Sequence, residues 1–189
     1  MPQYVYSPFS QPNSIRLLQL LPRKEDPKSL QCSLFEYPLR NLDNSSHLYE
    51  ALSYVWGSED KSQSITIGDQ ILSITQNLYM LLCRLQNYSL SRIIWVDAVC
   101  INQTDEKEKE HQIPLMAEIY AKASRVIVWL GEAEDHGDRA LEALRLVGET
   151  FTKNPSHIHS IQQPILKLLQ RQWFQRIWVR EFGNVRSSG

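Results

Sequence analysis

Three features that often reveal a function are missing from this 189-residue chain. Its seven glycines form neither a G-x-G-x-x-G nor a Walker motif, which excludes the common phosphate-binding loops. Its three cysteines, Cys32, Cys83 and Cys100, form no C-x-x-C pair, and we predict no metal site. No apolar run reaches the roughly 18 residues of a membrane-spanning helix, so no membrane span is expected.

An excess of charge of one sign is also missing, because 20 Lys and Arg residues balance 21 Asp and Glu residues. A net charge of -1 provides no electrostatic footprint for nucleic acid, so we expect no nucleic-acid partner. Widely spaced thiols are typical of a reducing compartment, and the first residues lack the pattern of a secretory signal. We therefore expect a cytosolic or nuclear setting, and of the two we predict the cytoplasm.

The composition is that of one globular core, with 42% hydrophobic and 22% charged residues. We expect a domain over 14–182, an extended leader over 1–13 and a polar tail over 183–189. The hydrophobic pattern begins with strands and continues as alternating strands and helices. The predicted strands are 14–21, 30–39, 49–56, 64–67, 70–74, 93–101 and 125–130, and the predicted helices are 77–85, 105–123, 138–151 and 164–171.

Local signals define this pattern further. Gly68-Asp69 predicts a two-residue hairpin turn, and Asn77 can cap the helix that follows. Pro114 predicts a kink or a restart near 112–114. The segment 93–130 predicts a β-α-β unit whose strands are apolar enough to be buried on both faces. The predicted fold class is α/β, with a mainly parallel central sheet flanked by helices and an added antiparallel β-hairpin.

Candidate ligand-binding residues lie at or near the carboxyl ends of the predicted strands, because ligands favour the carboxyl ends of parallel strands. Asp97 stands in an apolar run, where a carboxylate must be hydrogen-bonded or change its protonation. It is either a ligand-binding or proton-handling group, or an acid satisfied by a backbone turn or a buried arginine. Asn102 and Gln103 can bind a ribose or a nucleobase, or they can hold the loop in place. Trp56 and Gly57 can form a pocket wall.

Three further features have competing interpretations. Cys100 can be a nucleophile with His111 as its base, but no glycine-rich oxyanion loop accompanies it, and we predict a buried structural thiol. Glu181 can face Asp97 and Asn102, and a pair of acids in a cleft can stabilise an oxocarbenium-like centre or bind ribose hydroxyls. Otherwise it is a surface acid paired with a nearby arginine. The EKEKE run at 106–110 predicts a solvated helix face.

Three segments carry a family resemblance: YEALSYVWG (49–57), IIWVDAVCINQTDEKEKEHQIPLMAEIYAKASRVIVWLG (93–131) and WFQRIWVREF (173–182). In this order they resemble the three signature blocks of the fungal heterokaryon incompatibility (HET) domain. The resemblance covers almost the whole chain. The family is distantly similar to Toll/interleukin-1 receptor (TIR) domains, so the resemblance also implies a TIR-like fold.

The resemblance implies a role in fungal non-self recognition and regulated cell death. Some TIR domains cleave NAD+ with one glutamate near a tryptophan, which implies an NAD+ nucleosidase-like hydrolase with NAD+ as substrate and no cofactor. The implied catalytic residues are Glu181 and Asp97, and the expected ligand-binding residues are Trp56, Gly57, Asn102 and Gln103. The alternatives are a non-catalytic, self-associating signalling module or a truncated, inactive fragment. The implied partners are a second copy or a HET- or NLR-type protein.

Overall fold

The computed structural model describes residues 1–23, 30–39, 47–131 and Trp173. The chain divides into two units, Met1–Trp129 and Leu130–Gly189, and almost all described residues belong to the first. The described strands are β1 (Ser14–Leu20), β2 (Leu30–Pro38), β3 (His47–Tyr54), β4 (Gln63–Ile67), β5 (Gln70–Ile74), β6 (Arg92–Trp95) and β7 (Ala123–Trp129). The described helices are α1 (Gln76–Leu85), α2 (Asp97–Cys100), α3 (Glu106–Gln112) and α4 (Met116–Lys122), with a 3-10 turn (Ile113–Leu115) between α3 and α4.

The seven described strands form one mixed sheet in the order β5-β4-β2-β1-β6-β3-β7. The pairs β2–β4, β6–β3 and β3–β7 are parallel, whereas β1–β2, β1–β6 and β4–β5 are antiparallel. The α/β class is confirmed, but the expectation of a mainly parallel sheet is wrong. The main cause is β1, which lies in the middle of the sheet and runs opposite to both neighbours.

The hydrophobic core follows from the patterns of the central strands and α1. Strand β1 is buried over almost its whole length, as expected for a strand with neighbours on both sides. Trp95, Tyr49 and Tyr54 are among the largest fully buried side chains. Helix α1 adds Leu78, Leu81 and Leu82, which recur at helical spacing on one face.

The apolar run 93–101 does not form the single strand that its composition predicts. Strand β6 ends at Trp95, and Asp97 begins α2, one helical turn. In this turn, the N–H groups of Val99 and Cys100 donate to the Val96 carbonyl at 3.1 and 2.8 Å. A buried strand and a buried helical turn have the same apolar composition, so the run alone does not distinguish them.

The predicted break in the helix over 105–123 is confirmed. Asp105 caps α3 by accepting a hydrogen bond from the Glu108 N–H, and the 3-10 turn that contains Pro114 separates α3 from α4. The prediction that Asn77 caps α1 is wrong. Thr75 has the extended backbone of an N-cap, and its hydroxyl accepts from the Leu78 N–H at 3.4 Å.

The sequence predicts that β7 is buried on both faces, and this prediction is wrong. Among the described strands, β7 pairs only with β3. Val126 and Val128 on β7 are 45% and 41% exposed.

The predicted helices over 138–151 and 164–171 lie outside the described residues.

The predicted hairpin between β4 and β5 is confirmed, and Gly68 in its turn has a φ of +63°. No heavy atom beyond its chain neighbours lies within 4 Å of the place that a Cβ would take. We expect Gly68→Ala to lower the free energy of unfolding by about 1 kcal/mol through backbone strain alone, measured by urea denaturation. Asp69→Ala is the matched control, with an expected change within about 0.5 kcal/mol. Equal stability of Gly68→Ala and the native chain contradicts this account.

Candidate functional site

The candidate site lies where three neighbouring parallel strands end. Strands β6, β3 and β7 are adjacent and parallel, so their carboxyl ends share one edge of the sheet. At this edge, Trp56, which lies just beyond β3, is next to Asp97, which lies just beyond β6. The indole N–H of Trp56 donates to both carboxylate oxygens of Asp97, at 3.3 and 3.2 Å. Two residues that the sequence predicts separately, Trp56 as a pocket wall and Asp97 as a ligand-binding or proton-handling group, thus lie side by side.

The carboxylate of Asp97 is fixed by a second donor from its own turn. The backbone N–H of Ala98 donates to Oδ1 at 2.8 Å. Asp97 and Trp56 are both half-buried, so the pair stands between the core and solvent. Donors on the indole and on the backbone fix the orientation of the carboxylate. The arrangement can bind a cationic or hydroxyl-bearing group beside an aromatic ring.

Asn77 connects the end of β7 to the chain beside Trp56, although the sequence predicts Asn77 as the cap of α1. Asn77, in the first turn of α1, donates from Nδ2 to the Val55 carbonyl at 2.5 Å. Its Oδ1 accepts from the indole N–H of Trp129 at 2.9 Å. Asn77 therefore holds the chain next to Trp56 and also the last residue of β7. Gly57, which follows Trp56, takes a φ of +72°.

The two predicted amides hold the loop after α2. The Asn102 side-chain oxygen accepts from the N–H and the hydroxyl of Thr104, at 3.2 and 2.8 Å. The Gln103 amide donates to the Asp97 carbonyl at 2.8 Å. The hydrogen bonds of Asn102 and Gln103 are thus those expected of residues that hold the loop in place. Both residues are only half-buried.

A buried ion pair beside this loop was not predicted. Glu108 belongs to the EKEKE run, and only part of that run forms a solvated face. The guanidinium of Arg16 donates to both carboxylate oxygens of Glu108, at 2.5 and 2.9 Å. The side chains of Arg16 and Glu108 are 6% and 9% exposed. Glu108 also accepts from the Asn102 N–H at 2.6 Å, and Arg16 donates to the Cys100 carbonyl at 3.3 Å. One feature of the sequence points to this ion pair: Arg16 is the single charged residue in the apolar run SIRLLQLL.

The N-terminal segment, residues 2–13, contacts the same arginine. Arg16 donates to the Ser7 carbonyl at 2.7 Å and lies over the rings of Tyr6 and Phe9, at 5.0 and 4.1 Å from their centroids. The Tyr6 hydroxyl donates to the Val99 carbonyl at 2.9 Å. Burial, with the neighbouring Cys100 as a lesser cause, raises the pKa of the Tyr6 phenol, so it keeps the proton of this hydrogen bond.

The structure does not support the Cys100 nucleophile. Cys100 is fully buried, and its sulfur accepts from the Val96 N–H at 3.4 Å. Burial raises the pKa of this thiol to about 12. His111 is exposed, and its ring hydrogen-bonds to the Lys107 carbonyl at 2.7 Å. The prediction of a buried structural thiol is confirmed.

Glu181, the other predicted catalytic acid, lies outside the described residues. Within the part of the chain that the structure describes, no group of three or more His, Cys, Asp or Glu side chains is placed to hold a metal ion. None of the described helices is both long enough and apolar enough to cross a membrane.

Comparison with known proteins gives two matches. Residues 49–181 match the family model for heterokaryon incompatibility protein (HET). Over 89% of its length, the chain is 30% identical to heterokaryon incompatibility protein 6, OR allele, of Neurospora crassa. The chain spans 31% of the length of that relative. No solved structure gives a significant match to the chain.

Thiol reactivity tests the burial of the cysteines. Cys32 and Cys100 are buried, and burial raises the pKa of each thiol to about 12, whereas Cys83 is exposed. We expect one of the three thiols to react rapidly with Ellman's reagent at pH 8, and all three in guanidinium chloride. In Cys83→Ser the rapid reaction should disappear. A rapidly reacting thiol that remains in folded Cys83→Ser contradicts the burial of the other two.

Proposed function

Because the chain belongs to the heterokaryon incompatibility (HET) family, we propose that it acts in fungal non-self recognition and triggers regulated cell death. The family match over residues 49–181 carries this proposal. The name of the Neurospora crassa relative supports it. We place this action in the cytoplasm, with a second copy or a HET- or NLR-type protein as the partner.

We propose further that the sheet edge at Trp56 and Asp97 binds NAD+. The support is the juxtaposition of an oriented, half-buried carboxylate and an indole ring. Aromatic rings provide surfaces for base stacking, and carboxylates accept hydrogen bonds from ribose hydroxyls. We extend the proposal to a TIR-like fold, which the parallel strands β6, β3 and β7 support.

In the proposed reaction, water hydrolyses the bond between C1′ of the ribose and the nicotinamide nitrogen. The electron pair of that bond goes to the nicotinamide ring, and water adds to C1′ and loses a proton. The products are nicotinamide, ADP-ribose and a proton. We assign Asp97 to stabilise the oxocarbenium-like centre and Glu181 to be the second acid. Trp56 orients Asp97 through its indole N–H.

We expect the purified chain to consume NAD+, and Asp97→Asn and Glu181→Gln each to lower the turnover number by about 100-fold. The reason is the loss of a negative charge beside the developing cation. The measurement is nicotinamide release, followed by chromatography at high protein concentration. Asp69→Asn, which makes the same chemical change in the exposed hairpin turn, should keep full turnover.

The same variants test whether NAD+ cleavage is the cause of cell death. Expression of the native chain in a fungal host should arrest growth, and Asp97→Asn should abolish the arrest at equal protein levels. Growth arrest that persists in an Asp97→Asn variant without turnover would contradict NAD+ cleavage as the cause of cell death. Absence of both turnover and arrest from a folded chain would contradict the whole proposal.

A non-catalytic, self-associating module is the second candidate, and one observation favours it. Val126 and Val128 project from β7 with 45% and 41% of their surfaces exposed. Exposed valines on a strand with one described neighbour offer an apolar, hydrogen-bonding edge for a second copy.

If this candidate holds, the native chain should form dimers or larger assemblies in sedimentation equilibrium. Val126→Lys combined with Val128→Lys should then shift it to monomer, because two charges would be desolvated at the contact. Val5→Lys, at a position that is 72% exposed on the N-terminal segment, should leave the assembly unchanged. A native chain that stays monomeric at all concentrations contradicts self-association.

A further inference from the structure

Helix α2, which carries Asp97, is too short to hold its own position. It consists of four residues, Asp97–Cys100, and makes a single turn. One helical turn costs more conformational entropy than its hydrogen bonds return. Contacts with other parts of the chain must therefore decide where Asp97 stands.

Side chains from outside the helix supply donors to its last carbonyl groups. The carbonyls at the end of a helix lack partners within that helix. The Val99 carbonyl accepts from the Tyr6 hydroxyl at 2.9 Å, and the Cys100 carbonyl accepts from Arg16 at 3.3 Å. The C-terminal end of α2 is thus capped by the N-terminal segment and by β1.

The ion pair fixes the chain on the far side of this turn as well. Glu108 accepts from the Asn102 N–H at 2.6 Å with the same Oε1 that pairs with Arg16 at 2.5 Å. Together, Arg16 and Glu108 hold the backbone at residues 100 and 102. Since both side chains are less than a tenth exposed, solvent does not replace these contacts.

The N-terminal segment is anchored at two further places, so the Tyr6 contact belongs to a fixed segment. At one end, the Tyr4 N–H donates to the Ile71 carbonyl at 2.7 Å. At the other end, the Ser10 N–H donates to the Glu36 carboxylate at 2.9 Å. Tyr6, Ser7 and Phe9 between them contact Arg16 or α2.

We propose that Arg16, Glu108 and Tyr6 are positioning residues of the candidate site. They set the place of α2, and through it the contact between the Asp97 carboxylate and the Trp56 indole. The N-terminal segment is then a part of the site, although it lies outside residues 49–181 that define the family match. The inference rests on the proposed function only in treating Asp97 as a site residue.

The test is the NMR cross-peak of the Trp56 indole N–H, which reports its hydrogen bond to Asp97 without any ligand or turnover. Trp56→Phe identifies this peak among the five indole signals, because the chain has five tryptophans. Asp97→Asn defines the displacement that follows a change at the acceptor. We expect Glu108→Gln and Arg16→Lys to displace the peak by at least half of that amount. Arg16→Lys keeps the positive charge but loses the planar guanidinium that donates to both carboxylate oxygens of Glu108.

Two matched controls separate positioning from a general loss of stability. Glu106→Gln makes the same change on the same helix, but its side chain is 80% exposed and pairs with Lys109. Tyr4→Phe is the control for Tyr6→Phe, since the Tyr4 ring packs against the Tyr6 ring. We expect Tyr6→Phe to displace the Trp56 peak and both controls to leave it in place.

The outcomes distinguish this inference from the proposed function. An unmoved Trp56 peak in folded Glu108→Gln and in Tyr6→Phe overturns the inference, whatever their unfolding midpoints. If Glu108→Gln does not fold, Tyr6→Phe alone decides, because the loss of one hydroxyl leaves the ion pair intact. A displaced peak in a chain without NAD+ turnover supports positioning while the proposed reaction fails.

Discussion

The buried ion pair between Arg16 and Glu108 is the contact on which the arrangement of the other parts depends. Removal of two charges from water costs several kcal/mol for each ion, and a pair repays this only when its remaining donors and acceptors are satisfied. Here they are satisfied by the backbone at Ser7, Cys100 and Asn102. The pair therefore does more than join a strand to a helix, because the N-terminal segment and the chain over 100–102 must also be in place before the charges are compensated. Loss of one partner alone would leave a buried charge, at a cost of about 3–5 kcal/mol.

The sheet order explains how this pair comes to lie beside the candidate site. Strand β1 runs opposite to β6, so the start of β1 is level with the end of β6. Arg16 consequently stands next to the point where the chain leaves β6 and turns into α2. The same edge receives the ends of β3 and β7. There the Trp56 indole donates to Asp97, and Asn77 accepts from the Trp129 indole and donates to the Val55 carbonyl. A mixed sheet thus brings the N-terminal segment to the carboxyl edge of the parallel strands, where an all-parallel sheet would place only strand–helix loops.

Sequence patterns predicted the features that depend on neighbouring residues. The Gly68-Asp69 hairpin, the apolar face of α1 and the restart at Pro114 follow from turn chemistry, helical spacing and a missing N–H. The partner of Arg16 lies 92 residues away along the chain, and no local pattern encodes such a pair. The apolar run predicts a strand where α2 lies, because a buried strand and a buried helical turn are both apolar. Of the site, the sequence names Asp97 and Trp56 as separate candidates and does not predict their contact, and it predicts for Asn77 the cap that Thr75 provides. Glu181 stays a prediction.

The central place of β1 has a consequence for synthesis on the ribosome. Strand β1 can pair with β2 soon after both emerge, but its other edge receives β6, with Leu18 opposite Ile94. At about 5–20 residues per second, the ribosome needs roughly 4–15 s to extend the chain from the first of these residues to the second. During this interval the nascent chain carries an apolar strand with an open edge, which is a template for aggregation. Binding by a chaperone at that stage would protect it, and release would have to follow the emergence of β6.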